Sequence, residues 1–564
     1  MENSMFSSQK SNESFDVIAW LRDFGEVNSS QENKHNFGME EFESFYSSLC
    51  LSSNGQNIRQ NEPDNVICQP MDTMNQGCYV QELSTTSSDP TMDSIDQWCY
   101  GPELGTTSID PMKIFYSNQC GTKKVSDVSL RRDVNSESIP IADVLRLAGE
   151  RYLQFSTRRL DGLSMFIHPY GSAFSELSLQ ETKEVELMHT LFLAADEVAS
   201  CQYDVASELI GRCRSKASFT GNPVERLVLY FAESLQDRIN SGTGRISPTR
   251  MNEIIQHAKG LGLLGDQPEF IAMQKCLPFS QVILMVGIQE IVENVKSASK
   301  IHLIDLEIRG GVQWILLIQA LSQRKDTKLE VKITAVVTAN REKIEATAKR
   351  LLSYAGSLNL PLSFKLLFAS DMSEIKKEHF RTKADETVVV YGSSVLRSMI
   401  SRPNCLDNLM KVIRSLNPSL MVVAEIEANH NSQSFLHRFV ESLFFYGAVF
   451  DCLDDCMDRD DQLRLTLEGT QFGQGIQNTI ATEGEQRVTR NVKLDVWRAF
   501  FRRFWMEEVE LCESSIYQGN LIRKQYARGD SCSIERNGKG IIVGWKGTPI
   551  LSLSTWKFLR FNPC

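Results

Sequence analysis

The sequence predicts an α/β fold in which a mainly parallel sheet is covered by helices. A helical cap is placed before the sheet, and a disordered tail precedes both. Three observations carry this reading. Residues 301–450 alternate short apolar runs with helical periodicity, the βαβα rhythm of a parallel sheet. Residues 138–298 repeat apolar positions at helical spacing alone. Residues 1–137 are rich in Ser, Asn, Gln, Thr and Asp and sustain neither period.

The tail is acidic. Residues 1–120 hold 18 Asp and Glu against 5 Lys and Arg, a net of −13, whereas the other 444 residues hold 53 against 55, a net of +2. Such a segment cannot bury enough apolar surface to offset its ordering entropy, so it is expected to be disordered and regulatory. Two islands, FDVIAWLRDFGEV (15–27) and MEEFESFYSSLCL (39–51), mix acids with bulky aromatics. They suit either segments that fold on a partner or incidental aromatics in a solubilising tail. MDTMNQGCYVQELSTTSSDP (71–90) matches 92–111 at 12 of 20 positions, too few copies for a solenoid and best read as slippage in an unconstrained tail. Lys123, Lys124, Arg131 and Arg132 form a basic cluster diluted by Asp127 and Asp133.

Five helical patterns follow, IPIADVLRLAGERYL, VELMHTLFLAADEVAS, YDVASELIGRCR, NPVERLVLYFAESLQDRI and FSQVILMVGIQEIVENVKSA, and make the cap, 138–298. The core, 299–564, opens with strand 301–306, helix 312–324, strand 330–337, helix 341–358 and strand 363–368. It continues with strand 387–391, helix 405–415, strand 419–425 and helix 433–450. Helix 341–358 has Asn340 as N-cap and carries Ile344, Ala348, Leu351, Ala355 and Leu358 on one stripe, which suits a face packed on a sheet. LDVWRAFFRRFWMEEVEL reads as one more helix. The closing strands are joined at Asn537–Gly538 and at Gly547–Thr548–Pro549, an antiparallel ending.

The chemistry-bearing motifs are thin. IHLIDLEIRGGVQW (301–314) runs strand, glycine turn and helix, as the first loop of a nucleotide-binding domain does. Yet Glu307 and Arg309 stand where alternating glycines would admit a ligand, and VKITAVVTAN ends without the acid that holds ribose hydroxyls. No G-x-x-x-x-G-K-[ST], G-x-S-x-G or H-E-x-x-H occurs. Glu425, Glu427 and His430 in AEIEANHN offer either an acid–base group or caps for the next helix. DCLDDCMDRDD (451–461) lacks EF-hand spacing and reads as a solvated loop. The 14 cysteines are scattered among apolar neighbours, as reduced packed thiols are, and Cys452 and Cys456 have no second pair at zinc spacing. No apolar run approaches the ~18–20 residues that cross a bilayer and MENSMFSSQK has no signal-peptide character, so a cytosolic or nuclear protein is the simplest reading. Asp305 and Trp314 are expected to hold the sheet and cap together.

The succession of these segments resembles the plant GRAS family of transcriptional regulators. IHLIDLEIRGGVQWILLIQALSQR resembles its VHIID signature, with His302, Ile304, Asp305, Gly311, Gln313 and Trp314 in matching places. Residues 186–297 and 341–358 resemble its two leucine-rich regions, and 422–454, with Glu427, Asn429 and His430, the middle of its PFYRE region. RVTRNVKLDVWRAFFRRFW, with Arg487 and Trp497, and GWKGTPILSLSTWKF, with Trp545 and Trp556, resemble its SAW region. The resemblance spans about 140–560 in order. Gln474 and Gly475 stand where the family usually has an Arg-Glu pair, and the tail carries no D-E-L-L-A string.

What the resemblance implies is a Rossmann-like core of methyltransferase type, with helices on both faces and a helical cap, no catalytic role and no cofactor. It implies a nuclear regulator of transcription acting mainly through DNA-binding transcription factors and homo- or heterodimers of the family, with DNA contact either direct and sequence-specific or weak and indirect, and no membrane. Its signature residues are expected to serve structure or partner binding. The enzymatic alternative is an S-adenosylmethionine-dependent methyltransferase with a degenerate cofactor loop.

Overall fold

The computed structural model describes residues 139–161, 177–245, 273–324, 329–338, 341–458 and 461–559. The acidic tail with its islands and repeat, the 123–132 basic cluster and the Asn340 cap lie outside the described residues.

Four helices come first: α1 (Ile141–Asp161), α2 (Leu179–Ala199), α3 (Tyr203–Lys216) and α4 (Pro223–Thr243). Ser178 opens α2 with a capping box, accepting from Glu181 N at 3.2 Å while Glu181 accepts from Ser178 N at 2.7 Å, so two otherwise orphaned donors are satisfied. Pro223 at the first turn of α4 gives up no helical hydrogen bond. Next is α5 (Pro278–Asn294), buried on most of its surface because it lies between the sheet and a later helix.

The α/β succession runs β1 (Lys300–Asp305), α6 (Val312–Ser322), β2 (Glu330–Val337), α7 (Arg341–Ser357), β3 (Leu362–Phe368), β4 (Thr387–Ser393), α8 (Pro403–Leu416) and β5 (Leu420–Ile426). All four pairings among these strands are parallel, with Asp305 opposite Ala335 on one side and Tyr391 on the other. The predicted stripe on α7 is buried at Ile344, Ala348, Leu351 and Ala355, against α6 and β3.

Then come α9 (Phe435–Cys456), α10 (Gln462–Leu467), a π-helical turn (Glu468–Gly473) and α11 (Gln474–Ile480). They are followed by α12 (Leu494–Arg503), β6 (Met506–Val509), α13 (Glu513–Arg523), β7 (Cys532–Asn537), β8 (Gly540–Trp545) and β9 (Thr548–Phe558). The strands form one sheet in the order β3-β2-β1-β4-β5-β9-β8-β7, with β6 also paired to β9. Pairings involving β6 to β9 are antiparallel. Helices cover both faces: α5, α6 and α13 on one, and α8 and α12 on the other, where Ile304, Val390, Val423, Leu409, Phe501 and Trp556 share a core.

Four expectations are corrected. The helix expected over LDVWRAFFRRFWMEEVEL stops at Arg503: Trp505 takes a left-handed φ of 59° and Met506–Val509 pair with β9 as a strand. The second hairpin turns at Lys546–Gly547, whose positive φ values of 46° and 84° suit a two-residue turn, and Thr548 and Pro549 are already in β9. The acidic run from 451 is not a solvated loop, because α9 extends to Cys456. Asp451 is buried, accepts from Ile141 N at 3.2 Å and, with Asp455, faces Lys546 at 3.7 and 2.8 Å. Glu425 and Glu427 do not cap the next helix, which Ser434 caps. Glu425 accepts from Leu396 N at 2.8 Å and Glu427 from Leu494 N at 2.9 Å, fixing two distant segments to the end of β5.

The helical layer is drawn from two stretches of chain. Helix α5 sits on the sheet, whereas α9 and α11 pack against α1, α2 and α4. Seventeen of the 22 residues of α9 are buried, since it touches those helices and also β8 and β9.

Candidate functional site

The strand order reverses between β1 and β4, and in open α/β sheets the crevice outside the carboxyl ends at such a point is where ligands bind. Here a cavity of about 60 Å³ lies there, lined by Gln274, Ser280, Glu307, Arg309, Gln313 and Tyr391 among others. Sites for cofactor-sized ligands enclose roughly 300–1,000 Å³. This cavity has room for a few waters.

The loop chemistry explains the small volume. The first carboxylate oxygen of Asp305 accepts from Glu307 N at 2.9 Å, and the second from Gln313 Nε2 at 2.8 Å and Trp314 Nε1 at 2.6 Å. Burial pushes the Asp305 pKa up to about 6, and these three hydrogen bonds oppose the rise. The Trp314 ring stands edge-on to Tyr391, centroids 5.5 Å apart. Arg309 reaches back to Glu307 at 3.1 Å. Asp305 and Trp314 thus tie β1 to α6.

Gly311 has φ 70°, a region that costs an L-residue about 1–2 kcal/mol. A Cβ there would come within 2.9 Å of Thr347 Cγ2 and 3.1 Å of Leu351 Cδ1, so the close approach this glycine permits is to α7.

The remaining signature residues do not gather at this crevice. His302 lies toward the amino end of β1, fully buried, with Nε2 2.8 Å from Thr334 Oγ1 and Nδ1 3.1 Å from Glu386. Burial, with Lys332 adding to it, lowers its pKa to about 4, so at neutral pH the contact with Glu386 is a hydrogen bond to a neutral ring. Glu427, Asn429 and His430 sit past β5. His430 is buried, with Nδ1 2.9 Å from Asn491 Nδ2 and its ring stacked on Tyr446 at 5.9 Å. Burial lowers it to about 4 as well, with Arg397 and Arg487 contributing. Trp497 stacks on Phe501, Trp556 donates to Ser554 Oγ at 2.9 Å beside Phe501, and Trp545 is buried in β8. Asn429 is the half-buried exception in a set that is otherwise buried.

Sequence reasoning missed the ionic links between helices. Arg226 Nε and Arg464 Nη1 both donate to Glu468 Oε1, at 3.0 and 2.6 Å, and Arg226 also donates to Asp454 at 3.1 Å. Arg438 and Arg238 both reach Glu483, the latter at 2.8 Å. The spacing of Arg464 and Glu468 was a usable signal; the partner 242 residues away was not. At Gly475, an added Cβ would overlap Tyr446 Oη, so the tyrosine hydroxyl fills the place a longer side chain would need.

The sequence model of the GRAS domain family matches residues 187–557. The chain is 29% identical over 385 residues to DELLA protein RGL1 of Arabidopsis thaliana, covering 68% of this chain and 72% of that protein. It is 28% identical over 396 residues to Scarecrow-like protein 14 of the same plant, 68% and 50% covered. The crystal structure of SCL7 in Oryza sativa superposes with a TM-score of 0.57 at 26% identity, covering 66% of this chain and 99% of that one. A model match over well above half of the residues settles the family: the chain belongs to the GRAS domain family.

Proposed function

We propose that this protein regulates transcription in the nucleus, acting mainly through contacts with DNA-binding factors and with family members as a homo- or heterodimer, and that it is not an enzyme. Family membership supports the regulatory role. The observation that carries the non-enzymatic reading is the use of the β1 loop. Asp305 spends its oxygens on Glu307, Gln313 and Trp314, and Gly311 makes room for α7, so the groups that would receive a cofactor serve packing. In this reading residues 138–564 form the docking domain and residues 1–137 a regulatory segment whose acidic-aromatic islands touch the transcription machinery.

Calorimetry with S-adenosylmethionine tests the first half. No saturable heat is expected, and tight binding abolished by Asp305→Ala would restore the methyltransferase alternative. Fusing residues 1–137 to a heterologous DNA-binding domain tests the second. Reporter output is expected, and silence would remove the role given to the tail. A pull-down from nuclear extract with the full chain should recover DNA-binding factors or family members.

A further inference from the structure

Two thiols face each other across the last turn of α9. Cys452 Sγ and Cys456 Sγ lie 3.9 Å apart, in contact and not bonded. Cys452 is fully buried, whereas Cys456 is half-buried and reaches solvent. Cys276, ahead of α5, and Cys532, opening β7, face the same place. Burial pushes both of those thiols up to about 12, and neighbouring Cys456 adds to each. No group of three metal-ligating side chains converges among the described residues, so the pair does not belong to a larger ligand set there.

The surroundings decide which sulfur reacts. An oxidant meets a thiolate at the surface, while a thiol packed in an apolar interior is inert. Burial raises the Cys452 thiol well above its ordinary value. Cys456 is therefore the sulfur a peroxide reaches, and Cys452, already touching it, is placed to resolve the product. Closing the bond has a geometric cost. Residues four apart on a helix hold their Cβ atoms about 5–6 Å apart, and a disulfide needs about 3.5–4.5 Å, so the turn must draw in by about 1–2 Å. Its far end can give, because the chain leaves the helix at Met457, which is extended and donates to Leu453 O at 2.9 Å. The turn carries two ionic links. Asp454 accepts from Arg226 of α4 at 3.1 Å, and Asp455 pairs with Lys546 of the β8–β9 turn at 2.8 Å.

We propose that Cys452 and Cys456 form a peroxide-sensitive dithiol, whose closure to a disulfide loosens the joints of α9 with α4 and with the β8–β9 turn. The Cys456 thiolate attacks one oxygen of hydrogen peroxide, the O–O bond breaks, and the departing hydroxide takes a proton and leaves as water. Cys456 is then a sulfenic acid. The Cys452 sulfur attacks it, the S–O bond breaks, and the hydroxyl leaves with the Cys452 proton as a second water. Two thiols have given two electrons to one peroxide. A small dithiol returns the pair to its reduced form by exchange. The device is independent of what the domain docks.

The test is peptide mapping of the full, folded chain, treated with a small excess of hydrogen peroxide and then alkylated. Trypsin cuts after Arg438 and Arg459, so one peptide, residues 439–459, carries both sulfurs and no other cysteine. It is expected unalkylated and lighter by two hydrogens, and dithiothreitol should return it to two labelled thiols. Cys452→Ala should instead leave Cys456 as a sulfenic acid that dimedone traps, and Cys456→Ser should protect Cys452 from oxidation. In the oxidised wild type, amide exchange at 453–457 should quicken by roughly tenfold, the worth of one charge-assisted hydrogen bond. Two labelled thiols in that peptide while the exposed Cys201 is oxidised would overturn the proposal. So would Cys456 bonded to Cys276 or Cys532, or a disulfide that leaves exchange unchanged. The mapping uses the wild-type chain, so a variant that fails to fold does not blur the result.

Discussion

Asp305 is the residue on which the β1 loop hangs. Removing its carboxylate strips the Gln313 amide and the Trp314 indole N–H of a buried acceptor, and each such orphan costs about 1–3 kcal/mol. Asp305→Ala is therefore expected to lose about 2–4 kcal/mol in urea denaturation; a loss under about 1 kcal/mol would mean the donors find other partners. His430 gives a pH signature. Its folded pKa of about 4 lies below the 6.5 of an open imidazole, so the unfolded chain binds more protons between those values. The stability this neutral ring contributes is complete above pH 6.5 and drains away as pH falls toward 4. His430→Phe keeps the stack on Tyr446 and loses the Asn491 contact, so it should be about 1–2 kcal/mol less stable at pH 7. Its deficit should shrink at pH 5, as measured by urea midpoints at both pH values. At Gly475, an alanine should cost about 1–3 kcal/mol through overlap with Tyr446, and adding Tyr446→Phe should recover part of that in a double-mutant cycle. Sequence reasoning placed Asp305 correctly at the end of β1, because acid, glycines and strand lie within 14 residues. It could not see that Gly311 faces α7, since Thr347 and Leu351 lie more than 35 positions away.

Among elements, the parallel strands and their crossover helices were legible almost to the residue. Buried strands of Val, Ile and Leu and single-faced helices carry their periods in local sequence. The failure at β6 has a local cause. FFRRFWMEEVEL continues helical spacing, and only pairing of Met506–Val509 with Phe558–Thr555, some 50 residues on, makes it a strand. Arg498 locks that switch. It donates to both oxygens of Glu508 in β6 at 2.9 Å and to Asn537 at the end of β7. Because a planar fork is needed for such a bidentate pair, Arg498→Lys should not rescue Arg498→Ala. Both should speed amide exchange in β6, with the alanine about 2–4 kcal/mol less stable. Wild-type exchange in the lysine variant would show that a point charge suffices.

At the scale of the whole molecule, a few buried ions join distant stretches of the described residues. Glu468, fully buried, gathers Arg226 from α4 and Arg464 from α10, and α9 supplies Asp454 to the same guanidinium. Taking away the shared acid leaves two buried cations facing each other, a defect worth about 3–5 kcal/mol against a typical total of 5–15. Glu468→Ala is expected to lower the melting temperature by several degrees and raise proteolysis within 139–245 before the sheet is cut; uniform cleavage would contradict that order. The order of segments along the chain, more than any single residue, made the family legible in the sequence. The assembly of the helical layer from two distant stretches was not legible, because α9 is buried on nearly all sides and its partners are chosen in three dimensions.

The anchoring of Asp305 has a further consequence for what this scaffold can become. A substitution that freed the carboxylate for a ligand would first strand two buried donors, and one that enlarged Gly311 would collide with α7. Each first step toward a cofactor site lowers stability before any ligand contact exists to compensate. The loop behaves as a ratchet: once its acid and glycine are committed to packing, restoring a binding site requires several changes at once, while change on the exposed surface stays cheap.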